Sequence, residues 1–134
     1  MASGSQRSGF WFDLRFNVRG PSAKLPGAEL IRPFFMSIGT FRGNTAKSNG
    51  SNGMQYYSPG WQSNEEQILQ DSRVYRNFHN GHFVHGNINL SFVGGLVADN
   101  RRAFHYFSND MIRFDRINII GYSTEYENVL KGQG

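Results

Sequence analysis

No part of this chain holds a helical period long enough to build on. It shows instead a succession of short runs in which apolar and polar residues alternate. Each run is cut off by Gly, Asn, Asp or Pro. Alternation with period two puts successive side chains on opposite faces of an extended strand. Phe12, Leu14, Phe16 and Val18 alternate with Asp13, Arg15 and Asn17. Ile88, Leu90 and Phe92 alternate with Asn87, Asn89 and Ser91. Ala103, His105 and Phe107 alternate with Phe104 and Tyr106. With turn signals this regular, the pattern predicts roughly eight to eleven short strands and an all-β chain. One wet and one dry face per strand favours an antiparallel two-sheet β-sandwich.

Taken in order, residues 10–18 read as a half-buried strand stopped by Gly20-Pro21. Residues 30–39 read as a second, an edge strand because Pro33 removes a donor. Residues 43–53 are a polar, Gly- and Asn-rich loop of the kind that carries contacts. Residues 54–58 form a short strand with Tyr56 and Tyr57 on opposite faces. Residues 65–74 read as a strand bent at Asp71-Ser72. Gly94-Gly95 and Asp99-Asn100 are turns on either side of a short strand at 96–98. Strands at 116–121 and 122–130 close the chain. The expected organisation is a flexible tail at 1–9, one domain at 10–130 and a frayed end at 131–134.

Composition narrows the function. A chain of 134 residues with 38% hydrophobic and 18% charged side chains can bury a core. Cys is absent, so neither disulfides nor thiolate metal sites are available. The net charge of +4 is spread along the chain, with no basic run beyond Arg101-Arg102, which argues against nucleic acid. No run approaches the ~20 apolar residues of a membrane span, and no signal-peptide core is visible. The expected location is cytoplasmic, or secreted without a signal peptide. There is no nucleophile elbow and no phosphate loop. Glu65 and Glu66 are adjacent and point to opposite faces of a strand, so they cannot flank one glycosidic bond. The expectation is a protein that is not an enzyme and uses no cofactor.

Two clusters carry chemistry. His79, His82 and His85 could hold a metal, but Gly81 and Gly86 argue against a helix, and on a strand residues three apart diverge. No metal site is expected. The segment 60–66, Gly-Trp-Gln-Ser-Asn-Glu-Glu, sets a tryptophan beside two carboxylates. An indole can pack the apolar face of a sugar whose hydroxyls donate to carboxylates. A lone tryptophan in a β chain of this size is more often a core or rim residue than a binding platform, and Trp61 reads that way too.

Across roughly residues 12–129 the order of strands resembles that of galectins. Phe-Asp-Leu-Arg-Phe-Asn-Val-Arg-Gly (12–20) followed by Phe-Phe-Met-Ser-Ile-Gly (34–39) is similar to the family's opening strands. Phe78-His79-Asn80-Gly81-His82-Phe83 and residues 103–121 are similar to later ones. The resemblance implies a jelly-roll, concanavalin-like lectin. It implies Trp61 as stacking platform, Glu65 (or Glu66) as acceptor, and Arg42, 19 positions before Trp61, as the strand arginine. Asn44 and Tyr57 would add contacts. The family's His and Asn fall on Ile38 and Thr40, which implies altered or weakened β-galactoside specificity. The partners implied are glycans or glycoconjugates, with avidity gained through a homodimer. The alternative is a non-catalytic interaction module that has lost sugar binding.

Overall fold

The computed structural model describes residues 1–57 and 60–123. The first circuit of the chain carries β1 (Ala2–Ser3), β2 (Phe10–Trp11) and β3 (Phe41–Arg42). The second carries β4 (Thr45–Lys47), β5 (Met54–Tyr56) and β6 (Gln62–Gln70). The third carries β7 (Arg73–Tyr75), β8 (Asn80–His85) and β9 (Ile88–Val93). The fourth carries β10 (Leu96–Ala98), β11 (Arg102–Phe107) and β12 (Asp110–Asp115), and β13 (Asn118–Ile120) begins the next. Each strand pairs with its counterpart one circuit away. This gives three sheets, β1-β4-β7-β10-β13, β2-β5-β8-β11 and β3-β6-β9-β12, and every ladder is parallel. The chain is wound as a parallel β-helix.

This overturns the expected antiparallel jelly-roll sandwich. At Ile88–Val93 and Arg102–Phe107 alternation does mark an inner and an outer face, but it does not say which way the neighbouring strand runs. A strand on the wall of a coil has an inner and an outer face just as a sandwich strand does. The turns decide the matter, and here they bend the chain into the next sheet rather than back on itself.

The bends are made by single residues in the left-handed region. Ser48, Arg76 and Asp99 have φ of 54, 55 and 51°. Each is followed by an asparagine, Asn49, Asn77 and Asn100, and the three stack in a buried ladder at separations of 28 and 23 residues. Asn49 donates its backbone and side-chain N–H to Asn77 Oδ1 at 3.2 and 2.8 Å. Asn77 in turn donates both to Asn100 Oδ1 at 3.0 and 2.9 Å. Asn100 closes back on Val74 O and Ala98 O. A second ladder, Asn87 over Asn109 at a separation of 22 residues, holds the corner between β8 and β9. These side chains satisfy backbone groups that a tight corner strands from the sheets.

Inside, the rows repeat. Ala46, Val74 and Val97 line one wall, Leu69 and Phe92 another, and Tyr56, Val84 and His82 the third. His82 lies between Tyr56 and Phe104, with its ring stacked on Phe104 at 4.6 Å. Burial lowers its pKa from 6.5 to about 3 and raises that of Tyr56. Both therefore stay neutral, with the phenol oxygen 3.2 Å from Nδ1 and 3.3 Å from Met54 Sδ.

Residues 12–40 cover the N-terminal end. Residues 10–18 were expected to form one long strand, but only Phe10–Trp11 pairs. Phe12 leaves the sheet and stacks on Tyr56 and Trp61, and Leu14 and Ile38 pack against the same core. The expected strand at 30–39 is replaced by 3-10 turns at Ala28–Leu30 and Pro33–Phe35. Pro33 has no N–H to give a ladder and instead starts a turn. Residues 1–9, read above as a tail, include β1. Ser5 O and Arg7 O accept from Gly50 and Ser51 of the next coil. The strand expected at 122–130 lies mostly outside the described residues, and Tyr122 and Ser123 are not in a strand.

Two outcomes test this frame. Asn77→Ala strips acceptors from Asn49 and should lower the unfolding free energy by about 2–4 kcal/mol, measured by urea denaturation. The native His82 takes up its proton only near pH 3, whereas the unfolded chain takes one up near 6.5. Stability should therefore fall as pH drops through that window, by up to about 1.4 kcal/mol per pH unit. In His82→Phe this part of the slope should vanish.

Candidate functional site

The outer face of the first sheet is built from two rows. Because Ala46, Val74 and Val97 point inward, the residues on either side of each point out. In register these are Thr45, Arg73, Leu96 and Asn118 in one row, and Lys47, Tyr75, Ala98 and Ile120 in the other. Thr45, Arg73, Leu96 and Asn118 of the first row and Tyr75 and Ile120 of the second line an open groove of about 1010 Å³, whose rim includes Gly43, Asp71 and Gly95. Lys47 and Ala98 lie beside it. Gly95 is fixed by its backbone: its φ is 91°, and a Cβ would sit 2.2 Å from Ser72 O.

The side chains at the groove are unequal. Asp71 accepts from Arg42 Nε at 3.3 Å across the corner between β3 and β7. Tyr75 faces the methyl of Ala98 in the next coil, and no aromatic neighbour stacks on it among the described residues. Arg73 is exposed, its backbone N–H bound to Asn44 O at 2.8 Å. The groove therefore combines one unstacked ring, the Thr45 hydroxyl, the Asn118 amide, whose Nδ2 donates to Gly95 O at 3.4 Å, and a paired carboxylate.

The residues expected from the sequence are scattered over this coil. Arg42 and Asn44 lie together at the groove's corner, and Asn44 Nδ2 donates to Arg42 O. Glu65 sits on an exposed irregularity of β6, where three extra residues bulge between Gln62 and Gln67, and Arg42 pairs with Asp71 rather than with it. Tyr57 is on another face. Its ring stacks on His85 at 4.4 Å, and His85 stacks on Phe107 at 4.2 Å. That row spends its ring faces on itself and offers mainly edges to a ligand. Trp61 has no exposed surface. Its Nε1 donates to Met36 O at 2.9 Å and its backbone N–H to Asn87 Oδ1. It is a pillar under the N-terminal cover. Of the histidines, His82 points in and His85 out, so they do not converge.

The groove residues Asp71, Arg73 and Tyr75 were not singled out from the sequence. A signal was there. Thr-Ala-Lys-Ser-Asn (45–49), Arg-Val-Tyr-Arg-Asn (73–77) and Leu-Val-Ala-Asp-Asn (96–100) are three copies of one pattern: outward, small inward, outward, left-handed corner, Asn. Aligning them places Tyr75 and Arg73 on the outer wall.

No family model, no curated protein and no solved structure matches the chain. The class is set by the geometry alone: a parallel β-helix with a polar groove along one outer sheet.

The burial of Trp61 has a measurable consequence. Trp61→Ala should cost about 3–5 kcal/mol of stability. The exposed Trp11 should account for the emission that iodide quenches, and Trp11→Phe should remove it.

Proposed function

We propose that this is a carbohydrate-binding, non-catalytic module that lays an extended glycan along the groove of the first sheet. The observation that carries the proposal is Tyr75, an outward ring in the groove with no stacking partner among the described residues, next to the row that carries the hydroxyl of Thr45 and the amide of Asn118. Sugars are held by just this combination, an aromatic face for the C–H side of the ring and polar groups for its hydroxyls. Coils stacked ~4.8 Å apart repeat the outer wall in steps comparable to a sugar unit of an extended chain. The reading is of binding rather than hydrolysis because the lining supplies one carboxylate, Asp71, and Arg42 holds it. A glycosidase pair needs two, one of them free to take and give a proton.

A second reading, an interaction module, draws on the last described coil. There Tyr106, Phe114 and Ile119, which occupy core-facing positions, are 64, 45 and 58% exposed. Such a patch suits a partner that brings apolar strands of its own.

A glycan array followed by titration separates the two. Glycan hits whose affinity drops at least about tenfold in Tyr75→Ala, with an unchanged circular dichroism spectrum, are expected. Hits that ignore this substitution, or a folded protein silent to all glycans, would count against the groove.

A further inference from the structure

Charge sorts the groove into two parts. At the rim, Arg42 and Asp71 neutralise each other. Further along the same sheet, Arg76 faces Asp99 at 4.0 Å. Arg73 in the groove, and Lys47 on the neighbouring strand beside it, have no ion pair and no side-chain hydrogen bond among the described residues. Both project from the outer wall. Arg73 lies two residues before Tyr75 on β7, about 7 Å along the strand. Lys47 is Tyr75's register partner on β4, one strand spacing away. Two cations of different reach thus bracket the ring that lines the groove.

We infer that the glycan this groove takes is acidic, carrying carboxylate or sulfate groups. The inference rests on the groove being the glycan site proposed above. A guanidinium can hold a carboxylate or sulfate through two parallel N–H donors, and Lys47 adds a point charge on the other side of the ring. A neutral glycan would leave both cations with water as their only partner. An acidic chain lying along the coils meets Arg73 and Lys47 while its ring packs on Tyr75. The cations supply the discrimination and the ring supplies the polymer's orientation.

The test is titration calorimetry at physiological ionic strength. The probes are oligomers of hyaluronan and chondroitin sulfate, neutral oligomers of cellulose and β-1,3-glucan, and a single-stranded DNA of similar length. Each is run on the parent, on the double variant Lys47→Gln/Arg73→Gln and on Tyr75→Ala. The expected result is that the acidic oligomers bind best and lose at least about tenfold in the double variant. Their affinity should also fall with added salt. Neutral oligomers that bind as well as acidic ones, untouched by the double variant but weakened by Tyr75→Ala, would overturn the acidic assignment and leave the groove standing. Silence to every glycan from a folded protein would overturn both. DNA binding as tight as that of the acidic oligomers, through the same two cations, would make the occupant a nucleic acid and overturn the inference.

Discussion

Buried amide ladders hold this molecule in its shape. A corner that turns a strand into the next sheet strands backbone N–H and C=O groups inside the coil, where each unsatisfied one costs about 1–3 kcal/mol. An asparagine side chain carries both a donor and an acceptor, so a stack of them can serve the corner of its own coil and its neighbour's at once. Asn49, Asn77 and Asn100 do this at one corner and Asn87 and Asn109 at another. The residue before each is left-handed: Gly86 at no cost before Asn87, and Ser48, Arg76, Asp99 and Ser108 at the cost such a backbone carries for a non-glycine residue. The ladders offset that cost by satisfying the groups the bend exposes.

With the corners fixed, everything outside follows from alternation. The strands between corners are only three to six residues long in the third and fourth circuits, so each contributes a few outward positions. Register then stacks those positions into rows. On the second sheet the rows are aromatic and pack ring on ring, which stabilises the wall and uses up the ring faces. On the first sheet the row breaks from Tyr75 to Ala98, and the ring has no stacking partner among the described residues. Arg73 and Lys47, on either side of that ring, pair with no carboxylate among the described residues. A site arises where the repeat departs from itself.

Some local features of this fold are legible in the sequence, although the strands expected at 10–18 and 30–39 are not there. The short strand at Leu96–Ala98, the turn at Asp99-Asn100 and the bend at Asp71-Ser72 were all found where the pattern put them. Strand direction was not legible, because period two is common to hairpins and coils. Nor was the fate of Trp61, since a tryptophan beside carboxylates looks the same whether its ring faces water or lies beneath Phe12. Of the expected site residues, Arg42 and Asn44 reach the groove's corner, while Glu65, Tyr57 and Trp61 lie elsewhere for reasons of register that only the wound chain reveals. The repeat could have been read from the spaced asparagines. Its first period is 28 residues and the next 23, because β6 carries extra residues and the corners differ in length. That irregularity hides it from a linear reading.

The register itself is the claim on which fold and groove both stand. A nuclear Overhauser spectrum of the isotopically labelled protein reads it directly. The account predicts backbone contacts between Val74 and Val97 and between His82 and Phe104, together with side-chain amide contacts linking Asn77 to Asn100. Cross-strand backbone contacts between consecutive strands such as β8 and β9, running in antiparallel register, would contradict it.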